Sequence, residues 1–266
     1  MLRTRYRWQL SDEAWLAQRV YRAPDFLVGH MKSQRFGAQE LGGDRRASPG
    51  AWVFVAVSGE LFVKTDAGEH VVRQGEALRA RAPGTALLGS TPDVELLAIL
   101  DRKAEGGPPE LRPVPLATLG DDPLGWLSRS DGGWLHDPGH APNWLDPERL
   151  RQVQGHVPSP ATRRMAQLVS EHIAALERYP GVDDLAAELG LSERRTSEAL
   201  GAYFRRYHAS YGGWRSYLST TRIELALSTL RQRAMAPARL AERLGYRKVT
   251  SLYHALERRG FAARAL

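Results

Sequence analysis

Leu185-Ala186-Ala187-Glu188-Leu189-Gly190-Leu191 and Leu240-Ala241-Glu242-Arg243-Leu244-Gly245-Tyr246 are two copies of one pattern. Positions one, two and five of each copy are apolar and fall on one side of a helix. A glycine follows where helices end in the left-handed conformation, and an apolar residue comes next to anchor the turn. Asp183 or Asp184 is placed to cap the first helix, Leu185–Leu189, and Pro237 opens the second copy at an N-terminal helix position. After the first glycine, Ser192 caps a further helix with Glu193 in its first turn. After the second, Thr250, Leu252, Tyr253 and Leu256 run along a helix towards Gly260. Each copy therefore reads as helix, glycine turn, helix, the helix-turn-helix outline in which the second helix enters a DNA major groove. Any amphipathic helix ending in glycine mimics one such string. Two in tandem are a stronger signal.

Between the copies, Tyr217, Leu218, Thr221, Leu225 and Leu230 fit one face of a helix over residues 213–231. At ~1.5 Å per residue this spans roughly 28 Å. Successive turns of B-DNA repeat every ~34 Å, so a helix of this length suits two recognition helices in adjacent grooves. Upstream, Met165, Leu168, Val169, His172, Ile173 and Leu176 keep helical spacing until Pro180-Gly181. Residues 161–266 hold 18 basic and 10 acidic residues, +8 in a chain whose net charge is +7. A basic module at one end is what phosphate binding requires, although charge alone fits a solvated face equally well.

Ten of the 16 prolines lie between Pro108 and Pro160, where long elements are interrupted. Ahead of them the pattern is β. Trp52–Val57, Glu60–Thr65, His70–Arg73, Ala77–Arg81, Leu87-Leu88 and Val94–Leu100 read as short strands. Turns at Ser58-Gly59, Asp66–Gly68, Gln74-Gly75 and Pro83-Gly84 separate them, a spacing that indicates a sandwich or barrel. Ser11, Asp12-Glu13 and Trp15-Leu16 suggest a short capped helix. The expected fold is α+β multidomain: a β domain over 1–104, a Pro/Gly-rich linker over 105–160 and an all-α domain over 161–266.

Two resemblances follow from these residues. The order strand, Ser58-Gly59-Glu60, strand, turn, strand, Gln74-Gly75-Glu76, strand, Ala82-Pro83-Gly84-Thr85 resembles the cupin jelly-roll barrel. Metal-binding cupins place histidines and a carboxylate on the inner strands, whereas here Trp52–Val57 has no histidine and Ala86 follows Thr85. The resemblance thus implies a cupin-like barrel without its metal. Residues 165–260 resemble the AraC/XylS family of bacterial transcription regulators through Tyr217-Leu218, Arg222, Ala226 and Leu230, then Leu240-Ala241, Leu244-Gly245-Tyr246. That resemblance implies a cupin-like sensor or dimerisation domain ahead of a DNA-binding domain with two helix-turn-helix motifs. The implied partners are double-stranded DNA, a small-molecule effector, a second copy in a homodimer, and RNA polymerase. This chain departs from the pattern in several places. Leu200 to Tyr217 is about six residues longer and carries Tyr203, Phe204, Tyr207, Tyr211 and Trp214; Thr196 stands for an aliphatic residue, and Glu198 for an arginine.

The residues expected on DNA are Arg194, Arg195 and Glu198 in the first motif and Arg247, Lys248, Ser251 and His254 in the second. Arginine reads guanine in a bidentate way and glutamate accepts from cytosine N4. Arg205, Arg206 and Arg215, in the longer loop, are phosphate candidates. No catalytic residue, metal or cofactor is assigned. The chain has no cysteine, which excludes a disulfide framework, thiolate metal sites and a cysteine nucleophile. His30 and His70 read as surface or satisfied core residues. His136 and His140 are separated by Pro138-Gly139 and so do not share a helix face for a metal. Trp126, Trp134 and Trp144 are expected to pack the middle segment onto a neighbouring domain. The apolar runs fall far short of the ~20 residues of a membrane span, and no apolar signal core follows the basic start, so a cytoplasmic location is expected. The alternatives are a metal-dependent cupin enzyme and a divergent helix-turn-helix protein that acts through protein–protein interaction.

Overall fold

Ala51–Ser58 (β4) is buried along most of its length on both faces, and it sits inside a seven-stranded antiparallel sheet. The computed structural model describes residues 1–9, 11, 13–35, 50–82, 84–114, 124, 147–178, 180–207, 211–231, 233 and 235–261. The other strands are Leu2–Gln9 (β1), Trp15–Ala23 (β2), Phe26–Gln34 (β3), Leu61–Thr65 (β5), Gly68–Val72 (β6), Glu76–Arg81 (β7), Ala86–Ser90 (β8), Glu95–Asp101 (β9) and Glu110–Pro113 (β10). The large sheet has the order β1-β2-β3-β9-β4-β7-β10, and a three-stranded sheet has the order β6-β5-β8.

Strand register explains the continuous apolar run of β4. On one face Trp52, Phe54 and Ala56 join Met31, Leu78, Leu96 and Leu100 in a core shared with Leu61, Val63, Val72 and Leu87 of the small sheet. On the other face Val53 and Val55 join Phe26, Val28, Ala77, Leu97 and Ile99. That second face is covered by Val114, Leu124, and Leu150 and Val153 of the helix Pro147–Gly155 (α1). A strand buried on both sides has no polar face to show, so its sequence does not alternate. Two packed antiparallel sheets make the front half a cupin-like double-sheet domain.

The first three strands correct the sequence reading. Residues 11–16 do not form a capped helix. The Ser11 hydroxyl accepts from the Ala14 amide at 3.0 Å within a turn, and β1 and β2 pair from Leu2↔Arg22 to Gln9↔Trp15. Leu2, Thr4 and Trp8 are buried while Arg3, Arg5 and Arg7 point out, so the alternation of a half-buried strand is carried by arginines. Their charge is kept at the surface over aromatic rings: the Arg3 guanidinium lies 5.4 Å from the Tyr21 ring centre and that of Arg7 lies 4.8 Å from Trp15. The 105–160 stretch is also partly structured, because β10 pairs with β7 and α1 covers the large sheet. Pro83, the 36–49 stretch, most of 115–146 with His136, His140 and the three tryptophans, and residues 262–266 lie outside the described residues.

The helical half comprises Pro160–Ala174 (α2), a 3-10 turn Leu176–Arg178, Val182–Leu189 (α3), Glu193–Tyr207 (α4), Trp214–Arg231 (α5), Pro237–Arg243 (α6) and Val249–Glu257 (α7). Ser159 caps α2 by accepting from the Thr162 amide. Helix α2 packs against β1, and one core runs from the front sheets into the helices. Helix α5 buries residues on nearly every side, from Trp214 and Tyr217 to Leu230. A helix enclosed in this way is the centre of its domain. Among the described residues, no helix is long and apolar enough to cross a membrane.

Candidate nucleic-acid interface

The two glycine turns are built alike, bond for bond. Gly190 has φ +64° and its amide donates to the Ala187 carbonyl at 3.3 Å, while the Leu191 amide reaches Ala186 at 3.1 Å. Gly245 has φ +73° and donates to Glu242 at 2.9 Å, while the Tyr246 amide reaches Ala241 at 2.8 Å. This is the Schellman closure, which needs a residue that tolerates positive φ. Its paired bonds lie within six residues, so sequence alone specifies both turns. The cap before α3 differs from expectation. Gly181 is the cap, and its amide donates to the Asp184 carboxylate at 2.7 Å, so Asp184 sits inside the first turn.

After the turns the copies diverge. Leu191 does not anchor its turn: it is 38% exposed. Tyr246 is partly buried against the core, with the Arg222 guanidinium 5.8 Å from its ring. Arg222 itself is buried and donates to the Leu176 carbonyl at 3.0 Å. A Cβ on Gly245 would stand 2.5 Å from that same carbonyl, whereas one on Gly190 meets nothing within 4 Å. The second turn is thus clamped to α5 and the 3-10 turn, and the first is open.

On α4, Arg194, Arg195 and Glu198 are exposed, and Ser192 accepts from the Arg195 amide at 3.4 Å. The Nε of Arg194 donates to Glu198 at 3.1 Å, one turn on. Glu198 therefore meets the positive charge of its own helix, a pair worth ~0.3–0.5 kcal/mol at an exposed site. Thr196 faces inward, fully buried, and its hydroxyl has no hydrogen-bond partner. On α7, Arg247, Lys248, Ser251 and His254 are exposed, with His254 3.3 Å from Glu257. Lys248 is the N-cap and contributes no side-chain cap, so the first-turn amides of α7 are not covered by a capping side chain. The seven residues chosen from sequence thus divide into two exposed clusters at the starts of α4 and α7. Arg205 and Arg206 belong to the last turn of α4 and Arg215 to the first turn of α5, all exposed, rather than to a loop. Exposed Arg239 and Arg243 on α6 and Arg258 beyond α7 were not singled out from sequence, because no motif position marks them.

In the front domain, His30 is buried. Its Nε2 meets Glu95 at 2.8 Å and its Nδ1 meets the Arg19 guanidinium at 2.9 Å. Hydrogen bonding from His30, and then from Lys32, holds the Glu95 carboxyl down at about 2. Two cationic side chains around one histidine–carboxylate pair oppose a metal ion there. His70 hydrogen-bonds to Thr65 at 2.9 Å. Among the described residues, no group of three or more histidine, aspartate or glutamate side chains is placed to hold a metal. A cleft of about 390 Å³ opens beside Thr65, Asp66, Arg81, Thr85 and Gly106-Gly107.

No protein-family model matches this chain, and no curated protein matches its sequence. Solved structures with a related course include the AraC-like transcriptional activator CuxR, 14% identical over 84% of this chain and 87% of that one, with a TM-score of 0.31. ToxT from Vibrio cholerae, with an unsaturated fatty acid bound, is 10% identical over 94% and 93%, with a TM-score of 0.36. Oxalate decarboxylase from Bacillus subtilis is 14% identical over 36% of this chain and 29% of its own, with a TM-score of 0.25. The chain's own geometry carries the assignment: it has the architecture that the resemblance to AraC-type regulators implied, a cupin-like double-sheet domain followed by two helix-turn-helix motifs joined by one buried helix.

Proposed function

We propose that this chain is a sequence-specific DNA-binding transcription regulator that acts by binding rather than by catalysis. The observation that carries this reading is the pair of matching glycine turns, each followed by a helix with an exposed polar leading edge. Arg194, Arg195 and Glu198 form one edge, and Arg247, Lys248, Ser251 and His254 the other. The first-turn amides of α7 and the exposed Arg205, Arg206 and Arg215 supply phosphate contacts that set register without reading sequence. In this reading the front domain binds an organic effector or a second copy of the chain, RNA polymerase is the downstream contact, and the protein works in the cytoplasm.

The test is selection of bound sequences from a random duplex pool by the full chain, followed by gel shift on the winners and on scrambled DNA. Enrichment of a bipartite site about one helical turn in spacing supports the reading. Equal affinity for selected and scrambled DNA overturns it, and a helix-turn-helix protein acting on other proteins then becomes the better account. The exposed Leu191 and the self-neutralised Arg194–Glu198 pair favour that second account for the first motif.

A further inference from the structure

DNA recognition gives no role to the aromatic residues that lengthen the Leu200–Tyr217 stretch. In the structure Tyr203, Phe204, Tyr207, Trp214 and Tyr217 are all buried. Their rings form a continuous cluster: Tyr203–Phe204 at 5.6 Å, Phe204–Tyr217 at 5.5 Å and Tyr211–Tyr217 at 4.7 Å between centres. The cluster joins the C-terminal half of α4 to the first turns of α5.

The front sheet meets this cluster. Arg22 of β2 is only 5% exposed and lies on the sheet face that also carries Thr4 and Tyr6. Its guanidinium donates to the Thr4 hydroxyl at 3.2 Å and to the Tyr217 hydroxyl. Burial pushes the Tyr6, Tyr211 and Tyr217 hydroxyls above their usual value, and the Glu224 carboxylate on α5 adds to the rise. The tyrosines are therefore neutral, and Arg22 and Glu224 are the charges that face them. A second tie lies beside the first. The Met1 ammonium donates to the His156 carbonyl at 2.7 Å, and the His156 ring meets the Tyr207 hydroxyl at 3.0 Å.

A buried guanidinium is costly unless its partners hold it, and such contacts favour one arrangement of the surfaces they join. Tyr217 lies one and a half turns before Arg222 on α5, and Arg222 clamps the turn of the second motif. The same cluster fixes the far end of α4, whose near end carries the first motif's exposed edge.

We propose that Arg22 is a positioning residue for DNA recognition: through Tyr217 it seats the front sheet on the α4–α5 junction and so fixes the spacing between the two recognition helices. The DNA arm of the test rests on the function proposed above. The seam itself does not.

The experiment uses the full chain as wild type, Arg22→Gln and Tyr217→Phe, the latter keeping the ring and losing only the hydroxyl. Affinity is measured on the selected DNA and on the same DNA with one base pair inserted between its two halves. Heat unfolding is followed by calorimetry. The wild type is expected to lose at least about tenfold on the inserted DNA, each variant less than about threefold, and the double variant no less than either alone. The single unfolding transition of the wild type is expected to split in Arg22→Gln. Unchanged discrimination in both variants, with one transition each, overturns the proposal. Should the wild type select no DNA, the function fails and calorimetry decides the seam: two transitions in Arg22→Gln support it and one overturns it. If Arg22→Gln does not fold, Tyr217→Phe supplies both comparisons.

Discussion

Thr196 is a local conflict between a polar side chain and a dry position. It is fully buried on the inner face of α4 and its hydroxyl is unpartnered. An unmet hydroxyl costs about 1–3 kcal/mol, while valine has the same shape without it. Thr196→Val is expected to raise stability by about 1 kcal/mol in urea unfolding, with no change in DNA affinity. On the opposite side of the same helix, Arg194 and Glu198 neutralise one another, whereas Arg247 and Lys248 lead α7 with no ion pair among the described contacts. Arg247→Ala or Lys248→Ala should weaken binding to the selected DNA by about 1–3 kcal/mol if the lost contact is to a base. Glu198→Ala should instead raise affinity for scrambled DNA, since it frees Arg194 and removes a charge that phosphate repels. Titrations of all three variants at one salt concentration check this. Negligible effects throughout would mean that these edges do not meet DNA.

The two motifs share a turn but not its surroundings. Both Gly190 and Gly245 have positive φ, so an alanine at either is strained by roughly 1 kcal/mol. At Gly245 the new Cβ would also stand 2.5 Å from the Leu176 carbonyl and 3.1 Å from the Arg222 guanidinium. Gly245→Ala is therefore expected to cost at least about 2 kcal/mol more than Gly190→Ala, because backbone must shift as well as strain. Chemical unfolding of the two variants measures the difference, and equal costs would show that the second turn is not clamped. The elements themselves were legible where their bonds are local. Gly190, Gly245 and Pro237 marked helix ends in the sequence, and the strands from β4 to β9 lay between glycine turns. The first three strands were not legible, because Arg3, Arg5 and Arg7 hid a period of two behind charge and Ser11 imitated a helix cap.

At the scale of the whole molecule, charge is partitioned as well as structure. The +8 of residues 161–266 is set against a front part close to neutral. If about five phosphates are neutralised, log K should fall with log salt with a slope of roughly −4 to −5. Gel shifts of the full chain across a salt series give that slope, and a value near zero would remove the electrostatic part of the case. The full chain is the right material, since Tyr6 and Arg22 of the front sheet cover the aromatic cluster of the helical half.

The sequence by itself determined the two turns, the recognition edges that follow them, the buried run of β4 and the basic bias of the C-terminal half. Each of these depends on neighbours within about ten residues or on composition alone. Only the tertiary structure decided that Leu191 is exposed while its counterpart Tyr246 is packed, that β10 and α1 return to the large sheet, and that Arg22 is buried against Tyr217. Those outcomes rest on contacts between residues far apart in the chain. A leucine after a glycine turn, or an arginine in an arginine-rich strand, reads the same in sequence whether a partner covers it or water does.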